Sequence, residues 1–235
     1  KNIMQVDTKK QLIKNSSWQI LFSILRAITG FIAAVIIAKA LGPGEFGKIQ
    51  YFFSIYYFLQ LIELFSHPSI VKQQLIEGKF SHNKIMGSSF WISFTSLSCA
   101  LLLTGAISYS LYDNKYLFFA FILAQVGLIG RSLNNMGYYF DSVLESKKFS
   151  FSQLSGNLIS NISRVVILIF STSLIYQSLL FSMQFLITGI SNLYFYSKHP
   201  QKFSITKWSW DKAAASQIIR RSTPLLLSSL ASIIF

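Results

Sequence analysis

Residues 15–48, NSSWQILFSILRAITGFIAAVIIAKALGPGEFGK, constrain this chain more than any other segment. Between Trp18 and Leu41 the only charged side chains are Arg26 and Lys39. At about 1.5 Å of rise per residue, a helix of this length crosses a hydrocarbon core of roughly 30 Å. Lys39 is near enough to the end to extend its ammonium into water. Arg26 lies roughly 12 Å along the axis and is not. A helical wheel places Gln19, Ser23, Arg26, Gly30 and Ala33 on one stripe, with Leu21, Ile24, Ile28, Phe31 and Val35 opposite. One side is therefore expected to face lipid and the other a polar interior.

The exit of this segment is read in the same terms. Gly42 can end the first helix, Pro43 is tolerated in the first turn of the next, and Glu45 suits that helix's positive N-terminal end. An Asn15-Ser16 start, a mid-helix Arg26 and the exit AKALGPGEFGKIQYFFSI resemble the first two helices of Wzx-type O-antigen flippases, oligosaccharide exporters within the MOP superfamily. The exit is the most specific part of that resemblance. It implies a bacterial inner-membrane protein of polysaccharide biosynthesis.

Composition agrees with a membrane chain. Hydrophobic residues are 52% of the sequence and charged residues only 12%, against about a quarter in soluble domains. The net charge of +13 does not indicate nucleic acid, because the basic residues alternate with apolar spans instead of forming one patch. Cys99, the single cysteine, excludes an intrachain disulfide and a cysteine-rich metal site, and reads as a small buried residue. No metal or cofactor is expected.

In chain order, the basic head precedes an apolar run too long for a cleavable signal. A second span covers about 46–65, carries Glu63, and is stopped by His67-Pro68. A basic loop with Lys72, Lys79 and Lys84 follows. The third span, 87–109, is uncharged, and its hydroxyls are read as packing groups. After a turn around Asp113, a fourth span covers 116–140, apolar to Gly130 and then polar from Arg131 through Asn134, Asn135 and Tyr138. The fifth, 153–175, carries Gln153, Asn157, Ser160, Asn161, Arg164 and Ser171 on one line against Ile159, Ile162, Val166 and Ile169. A sixth, 179–196, returns after a turn at 176–178, and His199 joins His67 and His82 as solvated loop residues.

Residues 198–221 form a basic connector, with Trp208 and Trp210 placed as interfacial anchors and 211–221 as an amphipathic helix. Ser222 or Thr223 is expected to cap a seventh helix with Pro224 in its first turn. The fold expected is all-α: a bundle of six transmembrane helices (1–198), the connector (199–221) and the start of a seventh helix (222–235); the family resemblance implies a second lobe of similar size. Fifteen basic residues then lie on the N-terminal side (Lys1, Lys9, Lys10, Lys14, Lys72, Lys79, Lys84, Lys147, Lys148, Lys198, Lys202, Lys207, Lys212, Arg220, Arg221) and three opposite (Lys39, Lys48, Lys115). That bias places the N-terminus in the cytoplasm.

Three arginines remain inside the spans. Arg26 lies roughly 12 Å, Arg164 roughly 16 Å and Arg131 roughly 8 Å from the inner surface. Burying each costs at least about 2.5 kcal/mol, so each should face water or a partner, and Glu63 can satisfy one of them. An excess of guanidinium at this depth suits an anion, because its planar fork matches phosphate oxygens. The family resemblance implies the corresponding cargo, an undecaprenyl-diphosphate-linked oligosaccharide turned outward by alternating access, with a coupling ion left open as a further partner beside the membrane lipids. On that reading Arg26 and Arg164 hold the diphosphate in a common cavity, Arg131 assists, and Gln153, Asn157, Ser160 and Asn161 bond sugar hydroxyls.

Two other classes are weighed. A glycosyl polymerase or ligase should carry acids, bases or a metal site in its outer turns, and these turns are short with no carboxylate pair or His cluster. A drug or ion antiporter of the MOP superfamily should carry an acidic cavity, whereas one Glu stands here against three Arg.

Overall fold

The computed structural model describes residues 2–111, 114–200 and 204–234, all in helices and their connections, with no strand among them. Lys1, Asp113 and Lys202 lie outside the described residues. Helix α1 (Asn2–Leu59) is two helical arms joined at Gly42, whose φ of 72° and ψ of 171° break the helix immediately before Pro43. Glycine adopts that φ without a Cβ penalty, which is why the turn forms there. The stripes behave as their chemistry dictates: Leu21, Ile24, Ile28, Phe31 and Val35 are exposed, while Ala33 is buried.

The second arm ends in a 3-10 stretch (Gln60–Ser66) that contains Glu63. His67 and Pro68 end this span and also start another helix. Pro68 occupies the first turn of α2 (Pro68–Glu77), and His67 Nδ1 accepts from Ser69 N at 3.2 Å. The basic segment expected as loop is thus partly helical, since a proline that stops one helix is well placed to begin the next.

Helix α3 (His82–Leu111) bonds some hydroxyls internally, as in Thr95 Oγ1 to Trp91 O at 2.7 Å and Thr104 Oγ1 to Ala100 O at 2.8 Å, and others outward, as in Ser88 Oγ to Asp211 O at 3.2 Å. Leu97 and Ala100 are its buried face, and Cys99 points away from them and is exposed, contrary to expectation. The fourth span is broken: α4 (Lys115–Arg131), a 3-10 turn (Ser132–Asn134), then α5 (Asn135–Ser142). Helix α6 (Ser146–Ile167) ends eight residues before the expected limit of the fifth span, and α7 (Leu174–Ser197) begins earlier than expected. Gln177, placed by sequence in an outer turn, is fully buried in α7, and Ser171 lies in the turn.

Helix α7 packs between α4 and α6, and α1 lies along α6. The α6–α7 approach is close because a Cβ on Gly156 would meet Gln184 O at 2.5 Å. An aromatic core joins the second arm of α1 to α4 and α7: Phe53 stacks on Phe181 at 3.7 Å, and Tyr56 on Phe185 at 4.9 Å. At the basic end His82 and His199 are packed, not solvated. His82 Nε2 is 2.6 Å from Tyr196 OH, and His199 is buried beside the Tyr139 ring. Trp208 donates to Tyr196 OH at 3.1 Å and stacks near Phe90, so it belongs to this cluster; only Trp210 is well exposed.

Helix α8 (Lys212–Ile234) runs without a break through the position where a seventh helix was expected to start. Its cap is Asp211, whose Oδ1 accepts from Ala214 N at 2.9 Å and whose other oxygen pairs with Lys84 at 2.7 Å. Those contacts, Lys84 first, hold the Asp211 carboxyl below its usual range. Ser222 instead accepts from His67 N, and Thr223 bonds back to Ile219 O, so neither caps.

Four segments among the described residues are long and apolar enough to cross a membrane: Ile13–Glu77, which includes the Gly42 break, His82–Ser110, Lys115–Ser142 and Leu174–Ser197. Helix α6 falls short because one whole side of it is polar.

Candidate functional site

Helices α1 and α6 run in parallel and are joined by a ladder of polar ties. Asn15 Nδ2 donates to Ser146 Oγ at 2.7 Å, Arg26 Nη1 donates to Gln153 Oε1, and Thr29 Oγ1 donates to Asn157 Oδ1 at 3.0 Å. Asn161 Nδ2 adds a bond to the same Asn157 oxygen at 3.1 Å. Each rung arises because the polar stripes of the two helices face each other.

Behind this ladder lie two cavities. The first, of about 330 Å³, is bordered by Arg26, Gln153, Arg131, Asn134, Asp141 and Gln184. The second, also of about 330 Å³, is bordered by Arg164, Asn157, Asn161, Gln50, Tyr57 and Gln184. The sequence placed Arg26 and Arg164 in one cavity. They occupy two, because Arg26 is tied to Gln153, eleven residues or about 16 Å along α6 from Arg164. Gln184 is shared by both and was missed; an amide in the middle of the apolar run 179–196 was the available signal.

The three arginines differ in their partners. Arg131 Nε is 2.7 Å from Glu63 Oε2, and Tyr138 OH donates to Glu63 Oε1 at 3.2 Å, so this cation is neutralised where α4 breaks. Arg26 and Arg164 make no ion pair among the described residues. Arg26 Nη2 donates to Ser23 Oγ at 3.0 Å.

Arg164, 8% exposed, is held from two sides. Its Nε donates to Gln177 Oε1 at 3.2 Å, while Gln177 Nε2 donates to Arg164 O at 3.0 Å. Its guanidinium lies 4.9 Å from the Phe53 ring centre and 5.8 Å from that of Phe181. Ring faces attract a cation without neutralising it. Among the residues bordering its cavity Arg164 is the only charged one.

The remaining sequence candidates divide. Gln153, Asn157 and Asn161 border the cavities. Ser160 does not, and its hydroxyl donates to Leu180 O at 2.7 Å, fastening α6 to α7. Asp141 enters the first cavity but is shared by Lys72 at 3.5 Å and Gln19 at 3.3 Å.

No protein-family profile and no curated protein sequence matches the chain. A solved structure does: an outward-facing multidrug resistance MATE family transporter of the MOP superfamily, at a TM-score of 0.73 and 12% identity, over 96% of this chain and 54% of that one. The chain therefore has the all-α fold of that membrane transporter and spans about half of its length.

Proposed function

We propose that this chain is one lobe of a membrane transporter that moves an anionic, lipid-linked oligosaccharide diphosphate outward by alternating access. Six crossings, counting the two arms of α1, α3, α4 with α5, α6 and α7, would form the lobe, with the N-terminus in the cytoplasm of a bacterial inner membrane. The likeness to a MOP-superfamily transporter supports transport over enzymatic chemistry. The observation that carries the choice of cargo is Arg164: a buried, permanently charged guanidinium in a cavity whose other bordering residues are all uncharged, mostly amides and aromatics. A cation held this way in a membrane protein is costly unless an anion arrives to use it.

A multidrug antiporter is the second reading, favoured by what the similar structure transports. An organic cation would need an acid in the cavity. Glu63 is already paired with Arg131, and Asp141 with Lys72. In our reading Arg26 is a first station for the diphosphate and Arg164 a second, Arg131 supports their field, and Gln153, Asn157 and Asn161 bond sugar hydroxyls.

The test is export in cells carrying the full-length protein. Arg164→Ala should abolish appearance of the glycan outside at unchanged protein level. Arg164→Lys should recover part of it, because charge survives and planarity is lost. Asn157→Ala should be milder, one neutral hydrogen bond being worth about 1 kcal/mol. Normal export by Arg164→Ala protein present in normal amount would end the anion-site reading.

A further inference from the structure

On the outer side of the α1–α6 seam lies a groove of about 300 Å³ bordered by Ile32, Ile36, Ile162, Val165 and Val166, with Asn161 at its inner edge. Ile32, Ile36, Ile162 and Val166 are exposed, so the groove opens away from the bundle, on the flank that a bilayer would cover. Asn161 also borders the Arg164 cavity, which makes it the partition between an apolar groove outside and a cationic cavity inside. The wall is thin at this level. Gly30 borders the cavity and has no side chain, and a Cβ built there would meet only Asn161 Nδ2, at 4.0 Å.

The polar tie across the seam at this level is of a kind that can be released cheaply. Thr29 Oγ1 donates to Asn157 Oδ1 at 3.0 Å, but Leu25 O of its own helix is 2.8 Å away and can take the same proton. Asn157 Oδ1 in turn keeps the bond from Asn161 Nδ2. Parting α1 from α6 here leaves neither group unsatisfied, which matters where unsatisfied groups cost most.

We propose that the α1–α6 seam is a lateral slot in which the hydrocarbon chain of the transported lipid lies in the outer groove, passing between Gly30 and Asn161, while its phosphate head group sits at Arg164. The occupant follows from chemistry: an amphiphile with an anionic head and an apolar chain matches a cationic cavity continuous with an apolar groove, and keeping the chain in the bilayer avoids moving it through the polar interior. This rests on the anion-site reading proposed above.

The test places a benzophenone amino acid at Ile162, in the groove, and at Ile190, exposed on α7 outside it, in the full-length protein in vesicles containing a radiolabelled polyprenyl diphosphate. Capture at Ile162 should exceed capture at Ile190 by about tenfold, and Arg164→Ala should erase the difference. In the series Gly30→Ala, Gly30→Leu, Gly30→Trp, capture at Ile162 should decline with side-chain size. Equal capture at both positions would identify the groove as ordinary bilayer contact and overturn the slot. A parallel measurement of diphosphate retention separates the two readings. Retention that depends on Arg164 with equal capture refutes only the slot, whereas retention indifferent to Arg164 refutes the head-group site as well.

Discussion

At the scale of single residues, the decisive distinction is between a paired and an unpaired arginine. Arg131 and Glu63 are 68 positions apart, and nothing in the spacing of either identified the other as its partner; packing of the 3-10 stretch at Glu63 beside the end of α4 brings them to 2.7 Å. Arg164 was legible from the polar line of α6, but its fixing by Gln177 was not, because the sequence placed that glutamine in a turn. The two arginines should therefore respond oppositely to removal. Glu63→Ala leaves a buried unpaired cation and should cost about 3–5 kcal/mol, whereas Glu63→Leu combined with Arg131→Met should restore most of the loss. Arg164→Leu should unfold in detergent at an equal or higher temperature than the parent while transport is lost, as expected of a residue kept for function at the expense of stability. Thermal unfolding of the purified variants checks this order, and a large drop for Arg164→Leu would make that arginine structural.

At the scale of elements, helix periodicity read the faces well and the ends poorly. The Gly42 break followed from local chemistry, and the exposed apolar residues of α1 and α6 followed from the 3.6-residue period. The ends of α6 and α7 did not, because apolar turn residues such as Ile169 and Phe170 extend the hydrophobic pattern past the helix they follow. The start of α8 was missed for the opposite reason. Two hydroxyls beside a proline form a plausible cap, but Asp211 supplies the cap eleven residues earlier. Packing between α6 and α7 depends on Gly156, whose added Cβ would press on backbone oxygen and on Thr188 Oγ1. Backbone cannot yield as a flexible side chain can, so Gly156→Leu should lower folded yield severely. The exposed Ile159→Leu, on the same helix, should be neutral. Size-exclusion profiles in detergent compare the two directly.

At the scale of the whole molecule, the sequence conveyed a polar interior but not its division. Stripes on α1 and α6 implied a single cavity. Instead Arg26 borders one cavity and Arg164 another, with Gln184 at the border of both. On the proposed function, the two cavities would serve as successive stations for a charged head group. The central claim is therefore selectivity for an anion, and ligand retention by native mass spectrometry of the full-length protein tests it most directly, with a polyprenyl diphosphate competing against a lipophilic organic cation. The account predicts that the diphosphate is retained and displaced by Arg164→Ala, with the cation bound weakly in both proteins. Preferential retention of the cation by the parent protein, undiminished by Arg164→Ala, would contradict it.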